Sequence, residues 1–357
     1  GGALNLVTVR PDTQAFAFSQ DLGAGSRDRF RSRTSVNLPL GWNHAVKLAA
    51  VFDRVDGFID NGGPGGDFGD RHAEAYRVDW RWQATSTFTL DYAWDRTRLE
   101  SHNYTPQAVA PGELTGTPVD AAILSSQRFV RYGDARFSRL STSVPLRPTD
   151  TDIEGHSLTL EWELPAFTLK SISAWRELSD LSYVDFASGA SEEYRVDFTT
   201  IILGAQSADP LAFDTVRTNL EQDQFSHEFQ LFGRFSRQLE YVAGLYYFRE
   251  DGRENWFPMH HIFSFPLIET NDAAYAVNIR AEDNRIENEA LALYGQLTWN
   301  PQWLRSRLHF TLGWRHSEDE RAVDRLFRQD NYVDYGDFVL GPFESTDFAA
   351  RARRDFD

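Results

Sequence analysis

The sequence contains no cysteine, a single methionine and no long run of apolar residues. Without cysteine, the chain can form neither disulfides nor a cysteine-ligated zinc site. No stretch reaches the ~18 consecutive apolar residues of a transmembrane helix, which excludes a helical membrane protein. Basic residues are also scarce, 36 against 53 acidic ones, and a net charge of −17 opposes binding to nucleic acid. The sequence does not exclude a membrane β-barrel, because each strand of such a barrel carries only a weak hydropathy signal.

The residue groups typical of catalysis are also missing from the sequence. The histidines are scattered, no serine lies in a G-x-S-x-G motif, and carboxylate pairs such as Glu161 and Glu163 are ordinary on a strand that lines a polar space. We therefore expect no catalytic residues, no bound metal, no cofactor and no enzymatic activity.

Apolar and polar residues alternate with a period of two in many segments. In residues 308–314, large apolar side chains alternate with histidine, threonine and glycine, and residues 87–94 and 157–164 follow the same pattern. This spacing predicts strands with one apolar and one polar face. Phe310 is then predicted to face lipid and Thr311 the lumen. No segment has an apolar stripe of helical period, so the chain is predicted to be all-β.

The pattern predicts about eleven strands after the first few residues. They cover residues 13–23, 27–38, 43–55, 71–83, 86–99, 153–164, 167–184, 218–233, 237–250, 287–299 and 305–320. Most exceed the ~5–6 residues usual in globular sheets. They are long enough for the ~9–11 residues with which a tilted strand crosses a bilayer.

Short and long connections alternate along nearly the whole chain. The short ones are at 39–42, 84–85, 165–166, 234–236 and 300–304; the long ones are at 56–70, 100–152, 185–217, 251–286 and from 321 onward. Only the turn at 24–26 departs from this order. Short turns on one rim and long loops on the other predict a transmembrane antiparallel up-and-down β-barrel, whereas a Greek-key sandwich has no reason to sort its loops.

Tryptophans cluster beside the short connections. They are Trp42, Trp80, Trp82, Trp162, Trp299 and Trp303. Indole rings favour membrane–water interfaces, so these residues predict an aromatic girdle at the short-turn rim. Trp94, Trp175 and Trp314 lie farther along their strands and give no clear second girdle.

Several segments resemble TonB-dependent outer-membrane receptors. Residues 1–11, GGALNLVTVRP, are similar to the last plug strand of that family. Residues 225–231 and 239–248 resemble a barrel hairpin of the family, and residues 169–176 and 294–299 resemble two further barrel strands. The resemblance extends over essentially the whole chain, and its pieces occur in the expected order.

The resemblance implies a barrel of 22 strands around a plug, of which this chain would carry about eleven. Residues 1–11 would be the last plug strand and the plug–barrel junction, and residues 12–357 the N-terminal half of the barrel, truncated at its C-terminus. The chain is thus expected to be part of a longer protein.

The same resemblance implies active transport across the bacterial outer membrane. The nutrient would be scarce and large, such as a siderophore, cobalamin or an oligosaccharide. The implied partners are the TonB–ExbB–ExbD complex, bound through a segment that this sequence lacks, and outer-membrane lipid and lipopolysaccharide. Two alternatives remain open: a passive outer-membrane porin, and a secreted all-β glycan-binding or adhesin domain.

Two segments of the predicted outer loops contain side chains able to bind a ligand. Trp256, His260 and His261 combine an aromatic ring with imidazoles, which suits contact with a substrate, although ordinary loop packing explains them as well. Residues 62–70 resemble a single calcium-binding nonapeptide turn, but they occur once and lack its large apolar residue, so a flexible outer loop is favoured.

Overall fold

The computed structural model describes residues 8–63, 65–103, 133–141, 146–185, 215–266, 273–301, 308–334, 339–342 and 345–356. Strands and turns account for the regular structure of these ranges. None of the residues described forms a helix long and apolar enough to cross a membrane.

Fifteen strands are present in the described ranges. They are β1 (Ala17–Gly25), β2 (Arg29–Gly41), β3 (His44–Val55), β4 (Asp60–Asn61), β5 (Arg71–Gln83), β6 (Phe88–Ser101), β7 (Arg139–Leu140), β8 (Thr149–Glu163), β9 (Phe167–Asp185), β10 (Thr215–Ser236), β11 (Leu239–Pro266), β12 (Ala273–Trp299), β13 (Phe310–Asp334), β14 (Val339–Leu340) and β15 (Ser345–Phe356). All eleven predicted strands are found in their predicted order.

One antiparallel sheet of thirteen strands dominates the structure. Its order is β1-β2-β3-β5-β6-β8-β9-β10-β11-β12-β13-β14, and β15 also pairs with β13. Along this path each long strand pairs with the next long strand in the chain, which is the up-and-down connectivity predicted from the sequence. The two-residue strands β4 and β7 form a separate parallel pair.

The register separates the side chains into two faces. Directly paired residues share a face, so Trp299, Leu239 and Phe310 lie together on what we call the apolar face. The rings of Trp299 and Phe310 are 5.7 Å apart. Thr298 and Thr311 lie on the opposite, polar face, with their hydroxyl oxygens 3.2 Å apart. The predicted opposition of Phe310 and Thr311 is confirmed; the contact of Phe310 with lipid stays a prediction.

A second row of aromatic side chains crosses the apolar face, and the sequence pattern did not reveal it. Trp94 pairs with His156, His156 with Trp175, and Trp175 with Phe225, across four neighbouring strands. These residues lie near the middle of their strands, where the apolar side chains of this face give way to charged ones. Counted from the start of its strand, each of these residues has a different position, so the row becomes visible only once the register between the strands is known.

Two of the predicted long loops are wrong. Residues 251–286 were expected to form a loop, but β11 continues to Pro266 and β12 begins at Ala273. Beyond residue 321, β13 continues to Asp334 and β15 adds a twelfth long strand. Residues 249–255 and 315–321, where the extensions begin, are polar on both faces, so the alternation of apolar residues ends there while the backbone pairing continues. The predicted loop at 185–217 lies largely outside the described residues, as does Trp303.

Candidate functional site: the polar face of the sheet

The polar face carries a network of charged side chains across β5, β6 and β9. Arg77 binds Asp79 through Nη2 at 2.7 Å and Asp95 through Nη1 at 3.1 Å. Asp95 also accepts a hydrogen bond from Arg176 Nη2 at 3.0 Å. A planar guanidinium suits this arrangement, because its fork of N–H groups reaches two carboxylates at once. The network therefore fixes the side chains of three strands against each other.

A second charged group lies nearer the short-turn rim of the same face. Arg81 Nε is 3.0 Å from Asp91 Oδ1, and Arg10 approaches Asp91 at 3.9 Å. On the neighbouring strands, Lys170 Nζ lies 3.7 Å from Glu161. The carboxylate of Glu161 thus belongs to a wall of ion pairs, as expected for a polar lining.

Residues 8–15 lie on this polar face before β1 begins, and one buried amide holds Asp12 and Ala15. Asn37 is only 6% exposed. Its Oδ1 accepts a hydrogen bond from the Asp12 backbone N–H at 2.9 Å, and its Nδ2 donates to the carbonyls of Asp12 and Ala15 at 2.9 and 2.6 Å. Because these three bonds replace strand pairing, β1 begins at Ala17 and not at residue 13 as the pattern predicted.

Further contacts continue along the same segment toward residue 8. Lys47 Nζ donates to the Val9 carbonyl at 3.3 Å, and Arg77 Nη2 lies 3.4 Å from Thr8 Oγ1. Thr13 Oγ1 donates to Gln83 Oε1 at 3.1 Å. The segment that enters the sheet is therefore attached to the inner side chains of β2, β3 and β5.

At the opposite rim, two connections pack into a small cap over the long-loop ends of the strands. Strands β4 and β7 pair there, and Ile59, Phe68, Leu140 and Leu146 form a buried apolar cluster. The Arg136 guanidinium lies 4.3 Å from the centre of the Phe58 ring. A cluster of this kind gives the connections a core of their own.

The described residues of the glycine-rich segment 62–70 pack into this cap; the flexibility expected of the loop stays a prediction. Asp70 Oδ1 accepts the His102 backbone N–H at 2.6 Å, and Asp70 Oδ2 lies 2.8 Å from His102 Nδ1. Asp67 Oδ1 accepts the Asn61 N–H at 2.9 Å. Both carboxylates of this segment thus take part in hydrogen bonds within the protein. Within the described ranges, no group of three His, Asp or Glu side chains is placed to hold a metal ion.

The three substrate-binding residues predicted from the sequence lie in β11. The backbone of Trp256 pairs with Thr218 and Glu282, that of His260 with Ile279, and that of His261 with Asn278. They are therefore on a strand extension and not in a loop. Their side chains lie outside the part of the chain that the structure describes, so their role in binding stays a prediction.

Charged side chains follow the aromatic row from Trp94 to Phe225 on the apolar face, on the side away from the apolar band. Arg96 binds Asp152 through Nε and Nη2, at 3.0 and 2.6 Å, and this lowers the pKa of Asp152. On the next two strands the paired positions are also charged, since Glu177 on β9 pairs with Asp223 on β10. The apolar band thus ends in an abrupt charged border, as expected where a membrane surface meets water.

The residues that sequence reasoning missed are Asn37 and the Arg77–Asp95–Arg176 network. Each is a polar residue at a position where the alternation already predicts polarity, so single strands give no signal for them. Opposite charges on the polar positions of successive strands are a usable signal, but only the register says which charges meet.

No protein-family model matches the chain, and no curated protein matches it. Among solved structures, it is similar to the ferric yersiniabactin uptake receptor FyuA from Yersinia pestis, with 15% identity and a TM-score of 0.56. It is also similar to the FpvAI–pyocin S2 complex, with 10% identity and a TM-score of 0.50. The resemblance to the barrel of TonB-dependent receptors is confirmed at the level of the fold.

The similarity covers nearly all of this chain but only part of each matched structure. The aligned region is 98% of this chain and 44% of FyuA, and 97% of this chain and 56% of the matched chain in the FpvAI–pyocin S2 complex. The chain therefore spans about half the length of these structures. The predicted fold class, part of an antiparallel up-and-down barrel, is confirmed by both the sheet and the comparison.

Proposed function

We propose that the chain is the N-terminal half of the barrel of a TonB-dependent transporter in the bacterial outer membrane. The observation that carries the proposal is the attachment of residues 8–15 to the polar face through Asn37, Lys47 and Arg77. A passive pore has no need for a segment fixed inside its wall. A plug joined to the first barrel strand does need one.

In this proposal, residues 1–11 are the end of the plug and its junction with the barrel, and residues 12–357 are barrel. The apolar face contacts lipid, and its charged border contacts lipopolysaccharide. The TonB–ExbB–ExbD complex supplies energy through a segment that precedes the plug. The chain transports a ligand and performs no enzymatic step.

The substrate would be a scarce, large molecule such as a siderophore, cobalamin or an oligosaccharide. We place Trp256, His260 and His261 among its contacts, at the outer end of β11. Alanine variants of these three residues in the intact protein are expected to weaken uptake and leave the amount of protein in the outer membrane unchanged.

The test of the class of function is uptake by cells that express the intact protein, with and without TonB. Active transport predicts accumulation of the nutrient that depends on TonB and stops when the inner-membrane proton gradient is collapsed. Equal accumulation in both strains would establish a passive porin instead. A protein that is secreted and absent from the outer-membrane fraction would support the adhesin alternative.

A further inference from the structure

A recess of about 320 Å³ lies on the polar face across β8, β9 and β10. Its floor consists of small side chains at neighbouring positions: Gly155, Ser157, Ala174 and Ser226. The register places Ser157, Ala174 and Ser226 in one row, since Ser157 pairs with Ala174 and Ala174 with Ser226. Larger residues surround this row, so the floor is lower than its margins. We call this recess the polar-face basin.

One wall of the basin is an ion pair. Arg176 Nη2 lies 3.0 Å from Asp95, whose other oxygen binds Arg77 at 3.1 Å. Gly155 leaves room for this arrangement, because a Cβ at that position would come within 3.2 Å of the Arg176 guanidinium. The contact with Asp95 uses only one of the five N–H groups of Arg176. The wall therefore presents both donors and acceptors in fixed positions.

The opposite wall is aromatic. Tyr246 and Phe248 lie on β11, and the register sets Phe248 directly beside Ser226. Both rings are half-buried, and Gln224 lines the basin between them and Arg176. An apolar ring face opposite paired polar groups suits a flat ligand with polar edges.

The charges around the basin nearly cancel, with one negative charge in excess. Arg77 and Arg176 are balanced by Asp79 and Asp95, and the nearby Glu250 adds a negative charge that is bound by Gln224 and Asn288. A strongly anionic ligand, such as a ferric complex of several carboxylates or catecholates, gains nothing from such a site. A neutral ring with many hydroxyl groups satisfies both walls.

We propose that the polar-face basin binds one unit of an uncharged carbohydrate. The sugar ring stacks on Phe248 and Tyr246, while its hydroxyls accept hydrogen bonds from Arg176 and Gln224 and donate to Asp95. This inference deepens the proposed transport function by naming its substrate class, and it rests on that function.

The test measures binding of neutral trisaccharides (maltotriose, cellotriose and xylotriose) to the intact protein in detergent, by calorimetry and saturation-transfer NMR. Phe248→Ala and Arg176→Ala are the test variants. Phe232→Ala is the matched control. Phe232 on β10 is a half-buried phenylalanine on the polar face, like Phe248 on β11, but it does not line the basin. We expect at least one trisaccharide to bind, with affinity reduced about tenfold or more in both test variants and less than about twofold in the control.

Two results overturn the inference: no trisaccharide binds, or binding is unaffected by both test variants. Preference for an acidic sugar such as a galacturonate trisaccharide would also contradict the charge argument. TonB-dependent uptake of a different ligand, without sugar binding, would refute the basin and leave the transport proposal intact. Sugar binding that depends on Phe248, combined with uptake that is independent of TonB, would refute active transport and leave the basin intact.

Discussion

Asn37 is the residue on which the entry of the chain into the sheet depends. Its buried amide makes three hydrogen bonds to the backbone of Asp12 and Ala15. Asn37→Ala removes these three hydrogen bonds, and each contributes about 0.5–1.5 kcal/mol net, because Asp12 and Ala15 are exposed and water can bond to the freed backbone groups. We expect the variant to lower the free energy of unfolding by at least that amount and to release residues 8–15, measured by denaturation in lipid vesicles and by hydrogen exchange.

Ser35 provides the control for this variant, because it lies two positions away on the same face of β2. Ser35→Ala is expected to change the free energy of unfolding by less than about 0.5 kcal/mol. If both variants lose the same free energy of unfolding, the loss comes from truncating any side chain on the polar face and not from the hydrogen bonds of Asn37.

Phe310 and Thr311 test the assignment of the two faces at single positions. Phe310 is 51% exposed and lies beside Trp299, whereas Thr311 lies beside Thr298. If the apolar face meets lipid, Phe310→Arg places a charge in hydrocarbon and costs ~2–4 kcal/mol near mid-bilayer, while Thr311→Arg is tolerated. Unfolding of both variants in lipid vesicles measures this difference, and equal damage would contradict the facing.

At the scale of elements, β11 and β12 extend well beyond the apolar band as a long hairpin whose first part is charged. Arg253 on β11 binds Asp283 on β12 through Nε and Nη2, at 3.1 and 2.8 Å. These bonds lower the pKa of Asp283. Because the folded-state pKa lies below the unfolded one, the stabilisation is complete above the unfolded pKa of about 3.9 and is lost as the pH falls through the folded pKa.

The prediction for this hairpin compares the protein with its Asp283→Asn variant from pH 7 down to pH 2. The protein is expected to be the more stable by about 0.2–1 kcal/mol at pH 7, because the pair is partly exposed to solvent. The difference should vanish at the acid end of the range. Hydrogen exchange of β11 and β12 measures it, and a difference that is independent of pH would exclude the ion pair as its cause.

The two extensions also show how far a sequence can predict these elements. Within the apolar band, alternation located all eleven strands and those short turns that the structure describes, because each strand must present one face to each environment. Beyond Tyr247 on the apolar face, Arg249, Asp251 and Arg253 follow, so both faces become polar and the strand signal ends. Backbone pairing needs no apolar face, and β11 therefore continues where the pattern predicted a loop.

The candidate site was less predictable than the fold, for a related reason. Arg77, Asp95 and Arg176 are 18 and 81 residues apart in sequence, counted from Asp95 to each arginine. Nothing in a single strand indicates which of its polar residues meets which partner. The basin likewise depends on four small residues that become neighbours only through the register of three strands.

At the scale of the whole molecule, one face of the sheet exposes large apolar side chains over its full width. Leu48, Phe229, Leu297, Leu312 and Trp314 are all exposed, and Leu312 reaches 74%. A soluble protein rarely exposes a contiguous apolar patch of more than a few hundred Å². The aromatic rows at both margins of this face suit a bilayer, in which indole rings lie at the two interfaces.

The aromatic rows predict where the tryptophans lie relative to lipid in the intact protein. Trp175 and Trp314 should be quenched by phospholipids brominated near the headgroup more than by those brominated at the chain ends, because they lie toward the margin of the apolar band. Single-tryptophan proteins that retain one of these residues measure each position. A folded, monomeric protein in buffer without detergent, with no quenching by either lipid, would contradict the membrane assignment and favour a secreted all-β domain. Strong quenching by lipids brominated at the chain ends would instead show that both rings lie near the centre of the bilayer. The membrane-spanning part of the strands would then extend farther toward the long connections.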